Sequence, residues 1–284
     1  MKKFVYVALT FFLVVSMMTT TGCTDKNPSG ADSDSVWSDT DTTAADSAES
    51  LIAETPMPKA ADELFDDFVF NFAANRKLQY KRIQFPLPVY ENNKVVRKIE
   101  QNSWKMEHFF MRQGFYTLIF DSRKQINLVK DTTISHVVIE KIIFPKHQVW
   151  QYLFNRINGQ WMMTSLNILP IAKSKNASFL KFYGAFAADT AFQNRHIANP
   201  LKFTGPDPDD DFSTMSGDLL PEQWPAFSAQ ANLPSGLIYN IIYGQTYSEG
   251  SSKLFLVRGI ANGLEQEFTF SKTKGVWRLS KMNI

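Results

Sequence analysis

The sequence predicts an α+β fold in which one domain of roughly 110 residues occurs twice. Three observations lead to this prediction: an internal repeat, an apolar stripe at helical spacing at the start of each copy, and a series of strand-forming segments separated by tight turns. Each copy lies in the usual size range of a single domain. We therefore expect a first domain at residues 62–170 and a second at residues 174–284, joined by a short junction.

The internal repeat consists of two collinear matches. Residues 65–86 align without gaps on residues 179–200, and eight of 22 positions are identical, where ordinary composition gives about one or two identities by chance. Residues 154–168 align on residues 270–284 and share a Gly, a Trp and an Asn. The common order of both matches indicates a duplicated domain, and a period this long means that each copy is expected to have its own core.

Helices are predicted at the start of each copy. Large apolar residues in segments 64–72 and 180–186 recur at the spacing of a helix that packs one face on a core. The segment from Ser103 to Arg112 is predicted as a further short helix, and Gly114 is expected to end it.

The remainder of the first copy predicts strands, because it is rich in Val, Ile, Phe, Tyr and Trp. The predicted strands are Phe115–Phe120, Ile134–Phe144, Gln148–Ile157 and Gln160–Leu169. Asn158-Gly159 lies between the last two and supplies the positive φ values that a type I′ hairpin turn requires. Lys274-Gly275 has the same place in the second copy. Helices followed by a long antiparallel meander indicate helices on one face of a sheet.

This order of elements resembles the nuclear-transport-factor-2-like fold, a curved sheet wrapped around helices to form a cone. The Phe-rich opening helix and the closing hairpin with its Gly-x-Trp sequence are also similar to domains of unknown function in envelope lipoproteins of gut anaerobes. The resemblance implies two such domains in tandem, each with a cavity between sheet and helices. It implies no particular activity, because the fold hosts isomerases, dehydratases, transport adaptors and binding modules.

The N-terminal residues predict export and a lipid anchor. Lys2 and Lys3 precede an apolar run, Phe4 to Met18, that is too short to span a bilayer but suits a signal peptide. The following Thr-Thr-Gly-Cys resembles the lipobox of bacterial lipoproteins, which implies cleavage after residue 22 and lipidation of Cys23. The first Thr stands where that family prefers an apolar residue, so cleavage by an ordinary signal peptidase stays open. We expect a protein of the cell envelope, anchored in the outer membrane, with its periplasmic or surface face undetermined.

Composition narrows the chemistry further. Residues 23–61 are mostly Ser, Thr, Asp and Ala, a composition that predicts a disordered tether. Cys23 is the only cysteine and the four histidines lack metal-ligand spacing, so neither a disulfide nor a metal or cofactor site is expected. The acidic run Asp207–Asp211 suggests calcium, but it lacks EF-hand spacing, and its prolines favour a solvated loop. No stripe of cations interleaved with aromatic residues indicates nucleic-acid binding.

Candidate site residues lie in the first copy. Enzymes of the resembled fold place a carboxylate or a His-Asp pair, often with a Tyr, inside the cavity. That resemblance implies His136 and Glu140 on one strand, and Tyr116 and Tyr152 on neighbouring strands, as candidate residues of a cavity that binds a ligand. His136 and Glu140 share a strand face but are about 13 Å apart at ~3.3 Å per residue, so direct contact is not expected.

Two classes of function remain after these exclusions. The first is a non-catalytic binding or assembly module at the envelope, with a small molecule, a glycan or an envelope protein as candidate partner and the membrane bound through the lipid anchor. The second is a small-molecule isomerase or dehydratase with its site in the cone of the first domain. We favour the first, because neither copy shows the polar constellation that a buried active site needs.

Replacing Cys23 by Ser is expected to release the protein from the membrane fraction, because two or more acyl chains, at ~0.8 kcal/mol per buried CH₂, give stable membrane association. Cell fractionation of wild type and variant, with mass spectrometry of the mature N-terminus, measures this. A wild-type protein that is soluble and carries an unmodified N-terminus would contradict the anchor.

Overall fold

The computed structural model describes residues 62–207, 209–231 and 233–284. The predicted signal peptide, Cys23 and the tether at residues 23–61 lie outside the described residues. The helices of the described ranges are α1 (Phe65–Ala74), α2 (Arg76–Arg82), α3 (Ala177–Ala188), α4 (Thr190–Arg195) and α5 (Trp224–Ala231). The strands are β1 (Leu87–Glu91), β2 (Lys94–Ile99), β3 (Phe115–Phe120), β4 (His136–Ile143), β5 (Gln148–Ile157), β6 (Gln160–Pro170), β7 (Ile197–Asp207), β8 (Asp210–Leu219), β9 (Leu237–Ile242), β10 (Ser252–Gly259), β11 (Glu265–Thr273) and β12 (Val276–Asn283).

The fold is α+β, as predicted, and its local elements follow from local sequence. The strands β3 and β5 begin and end at the predicted residues. Asn158 and Gly159 have φ values of 50° and 77°, and Lys274 and Gly275 have φ values of 50° and 80°. Both residues of each pair therefore adopt the positive φ that a type I′ turn requires.

The predicted helix from Ser103 to Arg112 is wrong. The segment instead contains two short 3₁₀ turns, and Phe109 lies at φ 49°, which no α-helix accommodates. The cause is the buried side chain of Gln79, which accepts from the backbone N–H of Glu107 at 3.2 Å and donates to its carbonyl at 2.8 Å. Because Gln79 satisfies both backbone groups of Glu107, the segment has an alternative to helical hydrogen bonds.

All twelve strands form one sheet in the order β2-β1-β6-β5-β4-β9-β3-β10-β11-β12-β7-β8. The meander predicted for the first half placed β3 beside β4, but β9 of the second half pairs with β4 over six residues. In return, β3 pairs with β10 of the second half, also over six residues. Each half, residues 62–170 and residues 174–284, therefore supplies its third strand to the strands of the other half.

The sheet separates two hydrophobic cores. Successive side chains of a strand point to opposite faces, so β3 sends Leu118 into the first core and Ile119 into the second. Helix α1 covers the first core and α3 covers the second. The first core includes Tyr239 and Ile241 from the second half. Each core thus contains residues of both halves, which differs from the expectation of one core per copy, and the two-domain division stays a prediction.

The pair β3 and β9, where the exchanged strands meet, forms the central seam of the sheet. The two strands run parallel and share one backbone bridge in the described structure, Thr117 with Asn240. Side chains supply the missing hydrogen bonds: the Ile119 N–H donates to Asn240 Oδ1 at 2.9 Å, and Thr117 Oγ1 donates to the Tyr239 carbonyl at 3.0 Å. Gln245 Nε2 further donates to the Ile119 carbonyl at 3.3 Å. Polar side chains therefore hold the seam together.

The two halves repeat one buried polar pair. Trp104 Nε1 donates to Gln79 Oε1 at 3.0 Å, and Trp224 Nε1 donates to Gln193 Oε1 at 3.0 Å. Gln79 and Gln193 occupy equivalent positions of the sequence repeat. Each pair fixes the start of its half to the segment that precedes the exchanged strand.

Replacing Phe72 or Phe186 by Ala is expected to lower the free energy of unfolding by ~3–5 kcal/mol, because both side chains are fully buried and neighbours fill such a cavity incompletely. Denaturant melts measure the two losses. Phe212→Ala is the matched control, because that side chain is fully exposed and its removal is expected to change stability by less than about 0.5 kcal/mol. A near-neutral effect at Phe72 or Phe186 would contradict their equivalence as core residues.

Candidate functional site

The structure separates the four predicted site residues into two places. His136 and Glu140 lie on the face of β4 that points away from the first core and line one open cavity. Tyr116 and Tyr152 belong to the first core on the opposite face. The strand β9 also lies between β4 and β3, so Tyr116 is not on a strand next to His136. Only His136 and Glu140 can therefore contribute to a common site.

The cavity has a volume of about 570 Å³ and lies over β4, β5 and β9, between the first strands and a loop of the second half. Its polar lining residues include Asn92, Asn93, Gln151, Asn167, Ser174, Gln245, Thr246 and Tyr247. Its aliphatic lining residues are Val138, Leu153, Ile168, Leu169 and Ile242. On β4 the aliphatic Val138 lies between His136 and Glu140, so aliphatic and polar groups are interspersed along the cavity.

Glu140 forms the floor of the cavity and is almost fully buried. Its two carboxyl oxygens accept hydrogen bonds from Gln151 Nε2 and Asn240 Nδ2, each at 3.0 Å. Asn240 Nδ2 also lies 3.2 Å from the hydroxyl of Tyr247. Burial raises the pKa of Glu140, although the two amide donors act in the opposite direction. Burial also raises the pKa of Tyr247, so this hydroxyl stays protonated.

The rim of the cavity carries His136 and two lysines. His136 is exposed, and its Nδ1 lies 2.9 Å from Asn155 Oδ1. Lys173 Nζ donates to Asn92 Oδ1 at 2.7 Å. Lys175 lines the same rim. The mouth of the cavity is therefore more basic than its floor, which favours a ligand that is uncharged or carries a negative group at its outer end.

The two predicted tyrosines belong to hydrogen-bonded networks of the first core. The Tyr152 hydroxyl donates to Glu107 Oε2 at 2.9 Å, and burial raises the pKa of Tyr152. Burial, together with the neighbouring Asp66 carboxyl, raises the pKa of Tyr116 to about 12. Both hydroxyls are therefore protonated at neutral pH, and a ligand role for them stays a prediction.

Several residues that complete the cavity were not predicted from the sequence. Asn240 interrupts the apolar run of β9, Leu237–Ile242, and that single polar residue was the available signal. Gln151 lies between Trp150 and Tyr152 and looked like an ordinary strand residue. Tyr247 lies in a loop whose position no strand pattern fixes.

Two further observations concern the residues that the structure describes. They contain no group of three or more His, Cys, Asp or Glu side chains arranged to hold a metal ion. None of their helices is long and apolar enough to cross a membrane.

The fold and cavity define an NTF2-like α+β protein, where NTF2 stands for nuclear transport factor 2. A crystal structure described as an NTF2-like protein from Bacteroides fragilis is similar to this chain, with 41% sequence identity and a TM-score of 0.72. The match covers 80% of this chain and 98% of that one. The model of a domain of unknown function, DUF4348, matches residues 44–284, and the chain belongs to that family. None of the curated proteins matches the chain.

Glu140→Gln is expected to change how stability depends on pH. Because the raised pKa means that the folded protein holds this proton more firmly than the unfolded chain, the contribution of Glu140 to the free energy of unfolding is complete below its ordinary pKa of 4.5. The contribution falls as the pH rises toward the raised value. Glutamine is neutral at every pH, so the variant lacks this loss of stability with rising pH.

Urea denaturation of both proteins from about pH 5 to about pH 8 measures this difference. The variant should gain stability relative to wild type as the pH rises. Glu91→Gln, at the exposed end of β1, is the matched control and should follow wild type. Parallel curves for wild type and Glu140→Gln would contradict a raised pKa of the buried Glu140 carboxyl.

Proposed function

We propose that this protein is a lipid-anchored envelope protein that acts as a non-catalytic binding module, and that the cavity over Glu140 holds a small polar ligand. The observation that carries the proposal is the enclosed floor formed by Glu140, Asn240 and Tyr247 beneath an open, amide-lined cavity of about 570 Å³. Its size lies within the range of about 300–1,000 Å³ that small-molecule sites occupy.

The chemistry of the lining supports a ligand with several hydroxyl or amide groups and some nonpolar surface. Amide side chains both donate and accept hydrogen bonds, so they match alternating donors and acceptors. The aliphatic side chains between them, such as Val138 and Leu153, can contact C–H groups of the same ligand. A monosaccharide or a small amide has this combination of groups.

The packing of the first half supports binding over the isomerase or dehydratase alternative. That alternative requires an open cone between α1 and the sheet. The space instead contains aromatic rings packed edge to face, with the Phe72 and Phe154 centroids 5.3 Å apart and those of Phe109 and Tyr152 5.0 Å apart. A filled interior favours a ligand site on the outer face of β4.

We further propose that the two halves are tandem NTF2-like units that arose by duplication and exchanged their third strands. The sequence repeat supports this, as do the matching Trp-Gln pairs of Gln79 and Gln193. In both halves the Trp of the closing hairpin also packs edge-on against the first Phe of the opening helix, Trp161 on Phe65 at 5.1 Å and Trp277 on Phe179 at 5.5 Å. The envelope location rests on the N-terminal sequence around Cys23.

Ligand binding is expected to depend on Tyr247 and His136. Native mass spectrometry of the purified protein, followed by thermal-shift titration with monosaccharides and small amides, identifies a ligand. Tyr247→Phe removes one hydroxyl and keeps the ring, so it should weaken binding roughly tenfold through the loss of one buried hydrogen bond. His136→Asn should weaken binding less, because His136 lies at the rim.

His147→Asn is the matched control for His136→Asn. It is an exposed histidine outside the cavity lining, and Asn tolerates its left-handed backbone at φ 51°. Binding that is insensitive to Tyr247→Phe, or the absence of any ligand in both measurements, would contradict the proposed site.

A further inference from the structure

We propose a second ligand site, for an acidic sugar unit that carries a carboxylate or a sulfate, in a cleft beside the edge strand β2. The cleft has a volume of about 420 Å³, and Arg97, Lys98, Trp104, Lys105 and Trp150 are among its lining residues. We call it the basic cleft. This inference goes beyond the proposed function and does not depend on it.

The basic cleft and the cavity over Glu140 lie on opposite faces of the sheet. Glu140 and Lys141 are successive residues of β4, so their side chains point to opposite faces. Lys141 pairs across the ladder with Trp150, whereas Glu140 pairs with Gln151. A ligand in one site therefore cannot contact the other.

The cationic residues of the cleft are not neutralised by its only lining carboxylate. Glu107 Oε2 accepts from Lys141 Nζ at 3.0 Å and from the Tyr152 hydroxyl at 2.9 Å, and Glu107 Oε1 accepts from the Tyr239 hydroxyl at 3.1 Å. The charge of Glu107 is thus balanced by Lys141 and its oxygens are satisfied by hydrogen bonds.

Three cations of the cleft lining remain unpaired. In the described structure, Arg97, Lys98 and Lys105 form no ion pair with a carboxylate. All three are exposed. Arg97 and Lys105 can turn toward a bound anion, whereas Lys98 follows Arg97 on β2 and points to the opposite face of the sheet. Like charges that lie together without counter-charges attract an anion, and a guanidinium binds carboxylate or sulfate oxygens through paired N–H groups.

Trp150 gives the cleft a preference for a ring, and Trp104 forms part of its wall. Trp104 is buried, with its Nε1 already bonded to Gln79, so its ring is held in place. Trp150 is half-buried, and its Nε1 is shielded from solvent. The accessible part of the Trp150 ring, rather than its N–H, can therefore pack against a ligand ring.

These features together select the ligand class. The unpaired cations of the cleft only donate hydrogen bonds, which suits a ligand whose charged group only accepts, such as a carboxylate or sulfate. The accessible part of the Trp150 ring can pack against the C–H face of a pyranose ring. Inorganic sulfate would form ion pairs with the cations but has no ring to pack on the tryptophan. A neutral sugar would pack on the tryptophan but has no charge to pair with the cations.

The test compares three probes by calorimetry on the purified protein: an oligosaccharide of uronic acids, a neutral oligosaccharide of the same length, and sodium sulfate. We expect the acidic oligosaccharide to bind at least roughly tenfold more tightly than either other probe, and its affinity to fall with added salt. Equal binding of the acidic and neutral sugars, or of the acidic sugar and sulfate, overturns the proposal, as does no binding.

Variants assign the site. The double variant Arg97→Gln/Lys105→Gln should weaken binding of the acidic oligosaccharide at least roughly tenfold, and Trp150→Leu, which removes the aromatic ring, should weaken it several-fold. Lys124→Gln/Lys281→Gln removes two exposed cations outside the cleft and is the matched control. An equal loss in the control overturns the proposal.

One more variant separates this inference from the proposed function. Tyr247→Phe lies across the sheet and should leave binding of the acidic oligosaccharide unchanged. If Tyr247→Phe abolishes that binding and the cleft variants do not, the acidic sugar occupies the cavity over Glu140, and the basic cleft is not a ligand site.

Discussion

The hydrogen bond from the Ile119 N–H to Asn240 Oδ1, at 2.9 Å, connects the two exchanged strands at the centre of the molecule. A buried backbone donor left without a partner costs ~1–3 kcal/mol, and the parallel pair β3 and β9 offers one backbone bridge in the described structure. The amide of Asn240 supplies the missing acceptor. Its other end donates to Glu140 and Tyr247, so the group that closes the seam also builds the floor of the cavity. The continuity of the sheet and the floor of the cavity therefore depend on the same side chain.

Local sequence predicted the four strands β3, β4, β5 and β6, and the hairpin of β5 with β6, but not the partner of β3. The ends of β3 and β5 and the Asn-Gly turn depend on neighbouring residues, and these predictions agree with the structure. The pairing of β3 with β10 joins residues more than a hundred positions apart, and no alternation pattern distinguishes it from pairing with β4. One signal was present: β9 is apolar on both faces except for Asn240, which is typical of a strand with a core on each side. The predicted helix before β3 was wrong because Gln79, distant in sequence, satisfies the backbone of Glu107.

Two of the four predicted site residues, His136 and Glu140, could be placed together from local sequence. A period of two shows that His136 and Glu140 share one face of a strand, and the structure places both in one cavity. The period does not show which face meets the helices, and in this sheet both faces of the central strands are covered. Tyr116 and Tyr152 were therefore grouped with His136 and Glu140, although they point into the first core. Part of the remaining lining, Ile242 and residues 244–247, comes from β9 and the loop after it, which strand exchange brings across from the second half.

Strand exchange also explains why ligand-sized space lies outside the two cores. Each core contains rings from both halves, and Tyr239 and Ile241 of β9 complete the packing of the first. Removing such rings to open a cone would expose the seam to water and weaken the bonds that join the halves. Open space is compatible with this arrangement only where loops and edge strands meet the sheet. The strand β4 passes close to two such places, because Glu140 faces the cavity and Lys141 faces the Glu107 cluster beside the basic cleft. One strand thus presents different chemistry on its two faces, and the two proposed ligands would be held on opposite sides of the same sheet.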